Sequence, residues 1–164
     1  MNEIEKLIFD LMSDDYEYNG HSVNLMDLGW KFEWDRAKRR FGLCSPRKKM
    51  ISISYQLSVN NYWNPDIVRN TVLHEIAHAI HWELYKEASH NWLWNRIALA
   101  IGCDGNRCFS SEEVEMPQSK YSLVCPNCGR KYKRYRKPTR NASCRSCSGG
   151  SYNPQYKLVI IQNW

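Results

Sequence analysis

Two histidines four residues apart form the most chemically informative pattern in the sequence. The string His74-Glu75-Ile76-Ala77-His78 lies in a stretch with helical spacing, and residues i and i+4 share one face of an α-helix. Both imidazoles can therefore reach one metal ion from the same side. Neutral imidazole is a good ligand of Zn²⁺, and a hydrolytic zinc site keeps a coordination position open for water. Glu75 is then predicted to be the general base that takes a proton from this water, and not a ligand.

A hydrolytic zinc site needs a third protein ligand, and three further histidines compete for that role. His81 lies about 10 Å along the helix axis from His74, too far to complete a tetrahedron with both helical ligands, so it is rejected. His90 follows a short polar break and is predicted to open the next helix, so a chain reversal would bring it over the first helix. His21 lies in a remote polar stretch. The predicted ligands are His74, His78 and His90, with His21 left as an alternative third ligand.

The segment His74–His78, followed by His90-Asn-Trp-Leu-Trp94, resembles the SprT-like zinc metalloproteases, which are relatives of Spartan. The strand region at residues 34–57 shares the resemblance. It implies an α+β, zincin-like fold, with a small antiparallel sheet ahead of the active-site helix, and His90 as the third zinc ligand. It also implies proteolysis of proteins bound or crosslinked to DNA. Asn91 stands where the family usually has Gly, and we expect the turn to survive because Asn tolerates left-handed backbone.

Four cysteines near the C-terminus predict a second metal site. Cys125-Pro-Asn-Cys128 and Cys144-Arg-Ser-Cys147 are separated by fifteen residues, which is typical of a four-thiolate zinc ribbon. A module of this size buries little apolar surface, so the metal must contribute much of its folding free energy. This second zinc is structural. The other three cysteines are interpreted as buried thiols: Cys44, Cys103 and Cys108.

The basic residues are unevenly distributed along the chain. Residues 1–119 hold 13 Lys and Arg against 17 Asp and Glu, whereas residues 120–164 hold 10 Lys and Arg and no acid. This asymmetry predicts a polyanion contact. For DNA, the partner that the resemblance implies, tyrosines would stack on bases while cations meet phosphates, as in single-strand binding; the sequence does not decide between single- and double-stranded DNA. The alternative is a solvated basic hairpin whose tyrosines fill the small core of the ribbon. The predicted nucleic-acid-binding residues are Arg130, Lys131, Tyr132, Lys133, Arg134, Tyr135, Arg136 and Lys137.

Hydrophobic periodicity gives a set of elements that position these residues. The predicted helices cover residues 3–12, 65–85 and 90–101, and the predicted strands cover residues 30–35, 39–43, 50–55 and 156–162. Residues 39–43 are expected to be the middle strand of an antiparallel sheet, with a hairpin turn around Pro46. Asn64 is predicted to cap the long helix and Gly102 to end the next one. The tryptophans are interpreted mainly as core, with Trp94 packed under the zinc helix.

Two domains are predicted: a zincin-like metalloprotease domain at residues 1–116 and a zinc ribbon at residues 117–164. The acidic N-terminal stretch has no long apolar run, which argues against a signal peptide or a membrane span and leads us to expect a cytoplasmic protein. The predicted function is a zinc-dependent endopeptidase acting on a protein substrate, with two zinc ions. Two alternatives stay open: a non-catalytic nucleic-acid-binding adaptor stabilised by zinc, and a metal-dependent hydrolase of a non-protein bond. The sequence gives no indication of oligomeric state.

Overall fold

The structure is a computed structural model that describes residues 3–106 and 115–164. The chain divides into two compact units, Met1–Pro117 and Gln118–Trp164. Cys108 lies outside the described residues, so its burial stays a prediction. Within the described ranges, no helix has both the length and the apolar character needed to cross a membrane.

The first unit begins with a helix and a hairpin. α1 (Glu3–Ser13) is amphipathic, as its apolar spacing predicts. β1 (Asp15–Tyr18) and β2 (His21–Asn24) pair antiparallel. The connecting residues Asn19 and Gly20 have φ angles of 50° and 77°, which suits a tight hairpin turn with left-handed backbone at both positions. This hairpin is missing from the sequence-based prediction, although an Asn-Gly pair is a strong hairpin signal.

A three-stranded sheet forms one wall of the first unit. Its strands are β3 (Lys31–Asp35), β4 (Gly42–Ser45) and β5 (Met50–Ser54), in the order β3-β5-β4. β5 pairs antiparallel with β4 and parallel with β3. The prediction of an all-antiparallel sheet with residues 39–43 in the middle is therefore wrong. Alternation identifies strand residues but not their partners, and the middle strand is the one whose last four residues are all buried.

A long helix crosses this sheet and carries the residues of interest. α2 (Tyr55–Asn60) is a short helix that the sequence did not predict, and α3 (Pro65–Tyr85) follows it. The Asn64 side chain accepts hydrogen bonds from two main-chain N–H groups in the first turn of α3, which confirms the predicted cap. α3 packs against α1, β4 and β5. Its middle is buried almost continuously from Val72 to His81.

The next helix, α4 (Trp92–Ala100), packs against α3. Its cap is Asn91, whose Oδ1 accepts a hydrogen bond from the Trp94 N–H at 2.9 Å. The predicted start at His90 is therefore wrong by two residues, and His90 lies in the connection just ahead of the cap. Gly102 has a φ of 84° and terminates the helix as predicted.

The second unit is built around a small antiparallel sheet. β6 (Tyr121–Val124) lies between β7 (Lys131–Arg134) and β8 (Val159–Gln162). A one-turn helix, α5 (Arg145–Ser148), follows the cysteine at position 144. The predicted final strand begins too early, because residues 154–156 form a 3-10 turn.

Candidate metal centre and catalytic cleft

Three histidines of the first unit converge on one point. α3 places His74 and His78 on the same face, and the connection between α3 and α4 brings His90 against them. Nε2 of His90 lies 3.0 Å from Nε2 of His74 and 2.9 Å from Nε2 of His78. Ligands of one tetrahedral zinc ion at about 2.0–2.1 Å lie roughly 3.3 Å from each other. Three imidazole nitrogens aimed at each other in this way match the donor geometry of a metal site.

The connection from α3 to α4 places His90 through two local signals. Lys86 ends α3 with a φ of 56°, which reverses the chain. Nδ2 of Asn91 donates a hydrogen bond to the Glu87 carboxylate at 2.7 Å, while Oδ1 of Asn91 caps α4. The backbone of Asn91 is extended, with a φ of −82°, so the expected left-handed conformation is wrong. Here Asn serves as a helix cap, which Gly at this position would not provide through a side chain.

Trp94 is packed against all three imidazoles, as the sequence predicts for a residue under the zinc helix. Its ring centroid lies 4.7 Å from that of His74, 5.1 Å from that of His78 and 4.5 Å from that of His90. The side chain is only 1% exposed. The indole therefore fixes the planes of the rings and keeps water away from their buried side.

Hydrogen bonding and burial leave the imidazoles ready to bind a cation. Nδ1 of His74 lies 3.1 Å from the Asn106 carbonyl oxygen. Because a carbonyl oxygen can only accept a hydrogen bond, Nδ1 carries the proton, and the lone pair of Nε2 is available to bind a metal. Two bonds to the Asp104 carboxylate hold Asn106 in place. Burial, together with the neighbouring imidazoles, lowers the pKa of His74 to about 4 and that of His78 to about 3. Both rings are therefore neutral at pH 7, as zinc ligation requires.

Glu75 lies beside the histidine cluster and is not part of it. Its side chain is buried between α3 and β4, and the Cys44 main-chain N–H lies close enough to favour its ionised form. Burial raises the pKa of Glu75 to about 7, against the opposing effects of that N–H and of Arg40. A carboxyl group in this state can both take up and release a proton near neutral pH.

Gly42 makes room for this carboxylate, and the sequence prediction missed it. A Cβ at this position would lie 2.5 Å from Oε1 of Glu75 and 2.9 Å from Cγ2 of Thr71. Gly42 is therefore required by the close approach of β4 to α3. A glycine inside a strand is a signal of close backbone approach, so this residue could have been found from the sequence.

An open cleft of about 820 Å³ contains the histidine cluster and Glu75. The strand β4 and the residues ahead of it form one wall. The first half of α3 forms another, and Asp104 and Asn106 also line the cleft. The three histidines and Glu75 thus line a space large enough for a chain of several residues.

The histidines that were not predicted as ligands lie elsewhere. His81 is fully buried, and its Nε2 lies 3.7 Å from the Glu87 carboxylate. His21 is exposed on β2. Of the free thiols, Cys103 is buried and Cys44 is half-buried. Neither belongs to a metal cluster among the described residues.

The second unit brings its four cysteines together. Sγ of Cys125 lies 3.9 Å from that of Cys147, and Sγ of Cys128 lies 3.7 Å from that of Cys144. Thiolates bound to one zinc ion at about 2.3 Å are about 3.8 Å apart. The Tyr132 hydroxyl, 3.3 Å from Sγ of Cys144, is the main cause that lowers the pKa of this thiol to about 6. The set matches a closed four-thiolate zinc site.

The predicted nucleic-acid-binding residues lie on and beside β7. Lys131, Lys133 and Arg134 are exposed, and the Arg130 guanidinium donates a hydrogen bond to the Ser146 hydroxyl. Tyr132 packs against the small core of the ribbon. This agrees with the alternative in which the tyrosine fills the core instead of stacking on a base. The remaining residues of the set follow β7 in the order Tyr135, Arg136 and Lys137, with Tyr135 half-buried.

The sequence matches the model of the SprT-like family over residues 9–115. This match includes the sheet, α3, the three histidines and Glu75. No curated protein and no solved structure matches the chain.

Proposed function

Because the chain belongs to the SprT-like family, which is generally related to metalloproteases, we propose that it is a zinc-dependent endopeptidase. One observation carries the proposal. A buried carboxyl group with a pKa of about 7 adjoins three converging imidazoles inside an open cleft. In this proposal the protein binds two zinc ions, a catalytic one at the three histidines and a structural one at the four cysteines.

Different residues of the first unit have different roles in the proposed peptide hydrolysis. His74, His78 and His90 would hold the zinc ion, which would supply an electrophile for the scissile carbonyl and lower the pKa of water. Glu75 accepts the proton of the attacking water and then donates it to the leaving amine. The Cys44 main-chain N–H favours the ionised carboxylate from the β4 side of the cleft. Asn106 holds the tautomer of His74 that presents Nε2.

The edge of β4 supports a protein substrate in an extended conformation. In the described part of the chain, β4 pairs on one side only, with β5. The Ser54 N–H donates to the Phe41 carbonyl, so alternation along the strand turns the main-chain groups of Gly42 and Cys44 away from β5. An extended peptide can add to such an edge through main-chain hydrogen bonds. This would place it beside Glu75.

The class of protein substrate follows from the charge of the second unit. Its exposed Lys and Arg side chains around β7 are suited to DNA phosphates. We propose that the substrates are proteins bound or crosslinked to DNA, with the ribbon holding the DNA. What supports this is the excess of basic residues after position 119; the partly buried Tyr132 argues against a stacking role for that ring.

A Glu75→Gln variant tests the proposal. It keeps the size of the side chain and removes the base, so we expect zinc content to be unchanged and proteolysis of a DNA-bound protein to fall by about 10²- to 10⁴-fold. Glu17→Gln, on an exposed position of β1, is the matched control and should retain full activity. Metal analysis and gel-based cleavage assays measure the two effects.

The main rival is a nucleic-acid-binding adaptor in which the histidine-bound zinc only stabilises the fold. It predicts two zinc ions per chain and DNA binding, but no cleavage by either the wild-type protein or the variants. A hydrolase of a non-protein bond would instead act on ester substrates while leaving proteins intact. Cleavage that survives in Glu75→Gln would remove this residue from the mechanism.

A further inference from the structure

The first unit carries a second concentration of positive charge, separate from the ribbon. Residues 36–49, called here the basic island, hold seven of the 13 Lys and Arg found in residues 1–119, and none of the 17 Asp and Glu. The remainder of this unit is therefore strongly acidic. The members of the island are Arg36, Lys38, Arg39, Arg40, Arg47, Lys48 and Lys49.

Only part of this charge is neutralised inside the protein. Arg40 pairs with Asp35 at 2.6 Å, and Lys49 lies 3.6 Å from the Glu83 carboxylate. Four other members are exposed and make no ion pair with any described residue: Arg36, Arg39, Arg47 and Lys48. Cations that were only solubilising an acidic unit would be expected among its acids, as on most mixed surfaces. Their separation into one segment suggests a partner.

The island borders the catalytic cleft at both ends of β4. Residues 36–41 precede β4 and residues 46–49 follow it. The two groups of cations are therefore separated by the length of the strand, about 13 Å. Arg39, Arg40 and Pro46 line the cleft, and Asp66 and Asp104 line it as well. The cleft therefore has cations along the β4 segment and carboxylates contributed by α3 and by the segment after α4.

We propose that the basic island binds the phosphodiester backbone of a nucleic acid, which then runs alongside the β4 wall of the cleft. Two cation groups this far apart fit a chain of regularly spaced charges better than a single anion. An acidic peptide inside the cleft would meet Asp66 and Asp104, which disfavours it. The proposal rests on the proposed function only in naming a nucleic-acid partner, and it adds a contact made by the protease unit itself.

Charge reversal at one residue from each end of β4 tests the island. Binding of a fluorescein-labelled oligonucleotide to the zinc-loaded full-length chain is measured by anisotropy at several salt concentrations, for wild type and for Arg39→Glu/Arg47→Glu. We expect the affinity to fall by at least about tenfold at low salt. The salt slope should become shallower by about 1.4 for a single-stranded oligonucleotide and about 1.8 for a duplex, the values for two lost phosphate contacts. Arg39→Ala/Arg47→Ala should shift both quantities in the same direction by less.

The matched control is Lys6→Glu/Arg96→Glu, which changes net charge equally at exposed positions on α1 and α4. It should weaken binding by less than about threefold. Equal losses in both charge-reversed proteins would reduce the effect to net charge and overturn the proposal, as would an unchanged affinity in the island variant. Competition by polyglutamate as strong as by unlabelled oligonucleotide would assign the island to acidic peptides instead. Since binding is measured without hydrolysis, an inactive protein that still shows the island effect would contradict only the proposed function.

Discussion

Gly42→Ala is expected to separate catalysis from metal binding. Its Cβ would lie 2.5 Å from Oε1 and 2.8 Å from Cγ of Glu75, and 2.9 Å from Cγ2 of Thr71, whereas ordinary contacts begin at 3.4 Å. The carboxylate must therefore move by about 0.9 Å, or β4 must move away from α3. Overpacking of this kind costs about 1–3 kcal/mol. Displacement of a catalytic group by about 1 Å costs on the order of 10²-fold in rate.

The assay for this variant has three readouts. The free energy of unfolding, from urea titration, should fall by about 1–3 kcal/mol, and kcat/KM for peptide cleavage should fall about 10²-fold. Zinc content should stay unchanged, because the three atoms closest to the new methyl group belong to Glu75 and Thr71 and not to a histidine ligand. Wild-type kcat/KM in a folded, zinc-loaded Gly42→Ala protein would refute the reasoning.

Two further variants control for this experiment. Gly20→Ala introduces backbone strain at a φ of +77° with no atom within 4 Å of the new Cβ, so it should lose stability but keep activity. Adding Thr71→Ser to Gly42→Ala removes one of the crowded carbons and retains the hydroxyl bond to Ile67 O. It should recover part of the stability and little of the activity, since the contact with Glu75 remains.

Two other predictions concern the ligands. Asn91→Ala removes the cap of α4 and the hydrogen bond to Glu87. We expect the free energy of unfolding to fall by about 1 kcal/mol and zinc binding, measured by chelator competition, to weaken by about 10- to 100-fold. Unchanged zinc affinity would show that His90 is placed by other contacts. Zinc-free protein should lose stability as the pH falls from 7 to 5, because the folded pKa values of His74 and His78, about 4 and about 3, lie below the unfolded value of 6.5. The unfolded state then binds more protons, and the loss should be about 1 kcal/mol per imidazole after allowance for partial exposure; a flat urea midpoint between these pH values would contradict it.

Local signals in the sequence were sufficient to locate the helix that carries the site. The Asn64-Pro65 pair determined its start, and spacing of four residues aligned His74 with His78. The choice of His90 also followed from local reasoning, because a reversal after α3 was the simplest way to bring a third imidazole close. Its helical start was wrong because Asn91 is a better cap than His90.

Pairing and contact information was not available from the same signals. The order β3-β5-β4 depends on which strand can be buried on both faces, a property of the whole sheet. The role of Asn106 depends on a contact with His74 over 32 residues, and nothing in the polarity of that loop indicates it. The Asn19-Gly20 turn and Gly42 are different cases, since an Asn-Gly pair indicates a hairpin turn and a glycine in a strand indicates a close backbone approach.

Two separate sets of contacts position the site residues, and α3 is the only element that takes part in both. Contacts between α3 and the connection to α4 bring His90 to the other imidazoles, whereas contacts between α3 and β4 bury Glu75. The two faces are separated by about 100° around the helix axis, because Glu75 directly follows His74 in the sequence. A change at Asn91 should therefore act on metal affinity, and a change at Gly42 on the carboxylate. Asn91 contacts Glu87 and Trp94, whereas a methyl group at position 42 would meet Glu75 and Thr71. Their effects on stability should therefore add within about 0.5 kcal/mol in the double variant. A larger coupling free energy between the two substitutions would mean that β4 and the His90 segment affect each other through α3. Metal binding and the protonation of Glu75 would then depend on each other.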